Sequence, residues 1–136
     1  MNKETMPKRK QGFPFPLKTQ QLSDGRYMML LADFVYVDSR LISHIAPKGL
    51  NYDGGTIPRF FWRLIGSPFT GKARYAYPIH DWECKQAHKA PTRELRKDLR
   101  KKADATLREV CQFLDVPRWK AFVLYRGVRI GAIVAR

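Results

Sequence analysis

One stretch limits the possible folds more than any other. Leu95, Leu99, Ala103, Leu107, Val110 and Leu114 recur every three or four residues, which puts them on one stripe of an α-helix. The spacing predicts a helix over 92–114, opened by the N-cap candidate Thr92 and ended by Val116-Pro117. An amphipathic helix gains most of its stability from covering its apolar face, so the rest of the chain must supply a cover. A second helix is predicted over 72–89, with its start near Tyr77 because Pro78 suits a first turn. A third is predicted from Arg118 to about Ala135, carrying Phe122, Val123, Leu124, Val128, Ile130, Ile133 and Val134. Gly127 and Gly131, four apart on it, point to a close helix–helix contact. A shorter helix is predicted over 57–65, stopped by Gly66-Ser67-Pro68.

Before residue 50 the pattern changes. Ser23-Asp24-Gly25 is a turn signal between Leu17–Leu22 and Tyr27–Leu31. Phe34-Val35-Tyr36-Val37 are strand formers, Asp38-Ser39 is a second turn, and Leu41–Ile45 reads as a further strand. Pro47-Lys48-Gly49 ends the run. The expected fold class is therefore α+β: an N-terminal antiparallel β segment followed by a bundle of three to four helices. With 136 residues this makes a single domain over 17–136. Residues 1–16 read as a basic, proline-rich arm. Phe13 and Phe15 in it alternate with prolines and are expected to be at least partly buried.

Charge narrows the partners. Lysine and arginine total 26 against 12 acidic residues, a net charge of +14. Such a surplus steers a protein toward polyanions: an anionic lipid surface, nucleic acid or an acidic protein. Arg93, Arg96, Lys97, Arg100, Lys101 and Lys102 lie together on the long helix and are the expected contact surface. The competing reading is a solvated helix face, since Glu94 and Asp98 share that helix. No apolar run approaches the ~20 residues that span a bilayer, and the polar N-terminus does not read as a secretory signal. Cys84 and Cys111 are too few for a disulfide framework and read as free thiols of a cytosolic protein.

Three features could carry chemistry. Asp53-Gly54-Gly55-Thr56 is a sharp turn before a helix, able to offer N–H groups to an anion or carbonyls to a hard cation. The alternative is a loop whose Asp53 or Thr56 caps that helix. His80-Asp81 are neighbours on one helix, so they point about 100° apart and cannot pair with each other. They can divide labour, one meeting an acid and the other a metal. Asp104 sits between Ala103 and Ala105, and a carboxylate near a buried helix face needs a partner. If the two helices pack antiparallel, His80 is the natural one. His80, Cys84 and His88 also share a helix face, but eight residues span about 12 Å, so only adjacent pairs could hold one zinc ion.

Together, Asp-Gly-Gly-Thr-Ile-Pro-Arg (53–59), Ile-His-Asp-Trp (79–82), Ala-Asp (103–104) and Tyr-Arg-Gly-Val-Arg-Ile-Gly (125–131) resemble a family of small proteins of tailed phages and prophages, over residues 13 to 134. That resemblance implies a place in the bacterial host cytoplasm or the virion. His-Asp followed one helix later by Ala-Asp is also similar to the helix pair of phospholipases A2. This second resemblance implies His80 as a general base held by Asp104, with catalytic roles for both. It implies a Ca²⁺ ion held by Asp81 and the turn Asp53, Gly54, Gly55, polarising a lipid ester. Three departures stand against it. Two cysteines cannot build the phospholipase disulfides, Cys84 stands where a tyrosine usually closes the motif, and the Tyr-Gly-Cys loop pattern is missing. Two functions follow: a Ca²⁺-dependent lipid-ester hydrolase, or a non-enzymatic virion or accessory protein that docks a partner through its arm and basic surface.

Overall fold

The computed structural model describes residues 10–22, 27–52 and 72–134. The strands are β1 (Thr19–Gln21), β2 (Met28–Leu30), β3 (Phe34–Val37), β4 (Ser43–Ala46) and β5 (Asn51–Tyr52). A 3₁₀ turn over Lys72–Tyr75 leads into α1 (Tyr77–His88), α2 (Arg93–Phe113) and α3 (Arg118–Val134). The α+β class expected from the sequence is what the fold shows. The predicted helix over 57–65 and the turn at 23–25 lie outside the described residues.

The β segment is not one sheet but two. β1, β2 and β5 form a three-stranded antiparallel sheet, and β3 pairs with β4 in a separate antiparallel hairpin. The strand predicted over 41–45 begins at Ser43 because Leu41 adopts φ 64°, which no strand accommodates. That left-handed residue closes the turn in which Leu41 N donates to Asp38 O at 2.9 Å. Pairing between β3 and β4 then runs in register from Phe34 opposite Ala46 to Val37 opposite Ser43.

The arm enters the fold at one point. Gly12 and Val37 exchange backbone hydrogen bonds of 2.9 and 2.8 Å. The next residue, Phe13, lays its ring 5.2 Å from both Phe34 and Tyr36 and 5.6 Å from Tyr75. Phe13 therefore joins the core as expected, whereas Phe15 is 58% exposed and does not.

The helices follow their sequence signals closely. Thr92 caps α2, its hydroxyl accepting from Leu95 N at 3.2 Å. Pro78 sits in the first turn of α1, where a missing N–H costs nothing. α1 packs on α2, and α2 on α3, each against the next. Along the α2 stripe Ala103, Leu107 and Val110 are fully buried, but Leu95 is 40% exposed, so α2 extends one end past its cover. Gly127 is buried on α3, as a close helix contact requires. The core combines Leu30, Phe34 and Tyr36 from the strands with Ile79, Leu107, Leu124 and Val128 from the helices. Among the described residues no helix is long and apolar enough to cross a membrane.

Candidate functional site

The antiparallel packing of α1 and α2 brings His80 level with Asp104. The His80 imidazole Nε2 lies 2.6 Å from Asp104 Oδ1, the contact anticipated from the sequence. The other carboxylate oxygen is also taken: Arg129 Nη1 of α3 donates to Asp104 Oδ2 at 2.7 Å. Arg100 Nε, one turn before Asp104 on α2, approaches Oδ1 to 3.8 Å. A single carboxyl group thus meets a cationic partner from each of the three helices. Side chains at 103 and 105 are methyl groups, and Ala103 is completely buried, which lets the helices close on this point.

The cluster is enclosed. His80 is 1% exposed and Asp104 is 0% exposed. Burial opposes a charge on His80, but the Cys84 sulfur and the Asp104 carboxyl group outweigh it and raise the imidazole to about 9. The net effect favours the protonated form of the imidazole. Cys84 Sγ lies 3.4 Å from Nε2 and 3.9 Å from Nδ1, beside the ring and not in line with one nitrogen. Cys84 and Cys111 are both free and buried, and burial pushes the Cys111 thiol up to about 12.

Metal ligation is tested by the same geometry. Donor atoms of His80, Cys84 and Asp104 lie within 4.8 Å of one another. Arg129 and Arg100 already bring positive charge to Asp104. A divalent cation there would have to displace a guanidinium, so this donor set suits arginine better than zinc. His88, the third residue of the predicted zinc face, is exposed at the far end of α1. Of the expected calcium ligands, Asp53, Gly54 and Gly55 lie outside the described residues. Asp81 is buried and its Oδ2 is 3.2 Å from Lys85 Nζ. Lys85 also donates to Asn51 O at 2.8 Å, and Tyr52 is pushed up to about 12 by its burial and by Asp81. β5 therefore brings the chain to the Asp81 side of α1 at Asn51–Tyr52. Calcium takes six to eight oxygens, and Asp81 is the one proposed ligand that the described residues supply.

A second polar cluster was not singled out by sequence. His44 stands between two carboxylates, with Nε2 2.9 Å from Asp38 Oδ2 and Nδ1 3.3 Å from Glu83 Oε1. Glu83, resisted by burial and helped by Asp38, raises His44 to about 9. Burial alone would push the Asp38 carboxyl group up, but His44 and the N–H groups of Ile42 and Arg40 hold it below the ordinary range. This cluster borders a cavity of about 550 Å³ walled by Trp82, Leu99 and Thr106. His80 and Asp104 are not among its lining residues. The sequence signal was faint: Asp38 and His44 are six apart across a turn, and Glu83 comes from another element.

Half of the predicted basic surface of α2 is engaged, and Arg93, Lys97 and Lys101 are exposed. Arg96 donates to Ala90 O at 2.9 Å and so ties α2 to the loop that follows α1, Lys102 pairs with Asp98 at 3.0 Å, and Arg100 turns toward Asp104.

Comparison with known proteins places this arrangement in a lineage. The profile of a family described as "Protein of unknown function (DUF1353)" matches residues 28–128. Two proteins of Sinorhizobium fredii (strain NBRC 101917 / NGR234) are similar. "Uncharacterized protein y4jT" is 40% identical over 55 residues, covering 40% of this chain and 16% of its own length. "Uncharacterized protein y4iH" is 36% identical over 61 residues, covering 45% of this chain and 26% of its own length. The chain thus spans less than a third of either relative. No solved structure matches it.

Proposed function

We propose that this chain, which belongs to the DUF1353 family, is a non-enzymatic accessory or structural protein of tailed-phage or prophage type, whose basic surface docks an anionic partner. The burial of the His80–Asp104 pair supports this reading best. A general base must reach its substrate proton, directly or through one water, and His80 is 1% exposed. The Cys84 sulfur and the Asp104 carboxyl group also shift its imidazole toward the protonated form. With both Asp104 oxygens taken by His80 and Arg129, the cluster is a polar clamp that fixes three helices. Phage ancestry rests on the four sequence segments, of which Ile-His-Asp-Trp, Ala-Asp and Val128-Arg129 all supply or flank clamp residues. The charge of +14 supports an anionic partner.

The lipid-ester hydrolase is the second reading. One observation favours it: Nε2 of His80 is held by Asp104 while Asp81, next in sequence, stands beside the strand that leads into the 53–55 turn. A fatty-acid release assay on phospholipid vesicles, with Ca²⁺ and with chelator, separates the two. The clamp reading expects no release in either condition, and a His80→Ala variant that unfolds at lower denaturant. Calcium-dependent release from the parent chain, abolished in a folded His80→Gln variant, would install the hydrolase instead.

A further inference from the structure

Cations also lie on α3, beside the exposed rings of its outer face. From Val116 to the end the chain holds Arg118, Lys120, Arg126, Arg129 and Arg136 and no aspartate or glutamate. Arg129 is spent on Asp104. Arg118, Lys120 and Arg126 have no acidic partner among the described residues. α3 is also divided sharply by side. At 100° per residue, Ala121, Leu124 and Val128 fall on one face, and all three are buried. Trp119, Phe122 and Arg126, at i, i+3 and i+7, fall on the opposite face. There Trp119 is 55% exposed and Phe122 is 64% exposed.

Two large aromatic rings left in water beside cations are costly unless something covers them. The cations attend the rings: Lys120 Nζ lies 5.6 Å from the Trp119 ring centre, and the Arg126 guanidinium lies 6.0 Å from that of Phe122. A second copy of the chain is a poor cover, because it would bring the same cations face to face. The face is the convex side of a helix, not a groove, which suits a planar surface better than a threaded strand. Tryptophan and lysine or arginine together are the side chains that favour the boundary between lipid headgroups and acyl chains.

We propose that the Trp119–Phe122–Arg126 face of α3 docks on an anionic phospholipid bilayer, the rings entering the interface and the cations meeting lipid phosphates. This rests on the accessory-protein reading and names its partner.

The test uses the whole chain with vesicles of equal parts phosphatidylglycerol and phosphatidylcholine, and with phosphatidylcholine alone. The chain should sediment with the anionic vesicles and shift its tryptophan emission to the blue. Trp119→Ala should abolish the shift, since it removes the tryptophan of this face and Trp82 stands on α1. The doubly substituted Trp119→Ala, Phe122→Ala chain should partition roughly tenfold less than the parent or weaker still. Both positions are surface positions, and circular dichroism checks that the helices persist. Equal partition of parent and variants overturns the proposal, as does failure to bind anionic vesicles at low salt. Preferential binding of a single-stranded oligonucleotide, with quenching of Trp119, overturns it in favour of nucleic acid. Because this reads partition by a folded protein, it can fail while the clamp survives denaturation tests, and the reverse.

Discussion

At the scale of single residues, Asp104 has the largest leverage. Replacing it with asparagine leaves His80 buried, and Arg129 half-buried, without a counter-charge, and breaking a buried pair in this way costs about 3–5 kcal/mol. Asp104→Asn should lower the stability measured by urea unfolding by an amount in that range, far more than Asp98→Asn, whose partner Lys102 is exposed. The charge on His80 also makes stability depend on pH. Its folded value of about 9 stands above the ordinary 6.5, so the stabilisation is complete below about pH 6.5 and is lost as pH rises through 9. His44, raised to about 9 by Glu83 and Asp38, acts in the same sense. Urea midpoints measured across pH 6 to 10 should therefore fall steadily; a flat profile would mean that neither imidazole is charged in the fold. Asp104 and His80 were legible from sequence because a carboxylate among alanines demands a partner and two short-linked helices supply one. Arg129 was not legible: it lies 25 residues on, in a helix whose buried positions are apolar.

At the scale of elements, local signals and distant contacts part company. The bounds of α1 and α2 could be read from Pro78, Thr92 and the apolar stripe because caps and periodicity act within one turn. Removing the cap tests this: Thr92→Ala should cost about 1 kcal/mol of stability by thermal unfolding, through loss of the bond from Leu95 N. The division of the strands into two sheets was not legible, since pairing of β2 with β5 joins residues more than twenty apart. Gly12 is a clearer case. Its φ of +135° is closed to other residues at low cost, and a Cβ built there would stand 2.9 Å from Phe113 Cζ. Gly12→Ala should therefore destabilise the chain by about 1–3 kcal/mol, visible as a lower melting temperature. Part of the loss should disappear if Phe113 is already alanine, because the new Cβ then no longer meets that ring.

At the scale of the whole molecule, charge is partly committed on both helices. α2 gives Lys102 to Asp98, Arg96 to Ala90 O and Arg100 to the clamp, and α3 gives Arg129 to the clamp, while Arg118, Lys120 and Arg126 have no acidic partner among the described residues. Composition revealed the surplus and could not reveal which cations are engaged, because that depends on partners brought together by folding. The clamp has a further consequence for motion. One carboxyl group bonds α1 and α3 at once from α2, at a point no water reaches. Lifting any one helix strands at least one buried charge, so the three should open together or not at all. Amide hydrogens on the inner faces of all three helices should then exchange with deuterium at a common slow rate, set by global unfolding. Those of β1, an edge strand with Gln20 and Gln21 in solvent, should exchange much sooner through local fraying. Whatever α3 meets on its outer face would meet a rigid three-helix body, and the force of that contact would be felt by the whole unit.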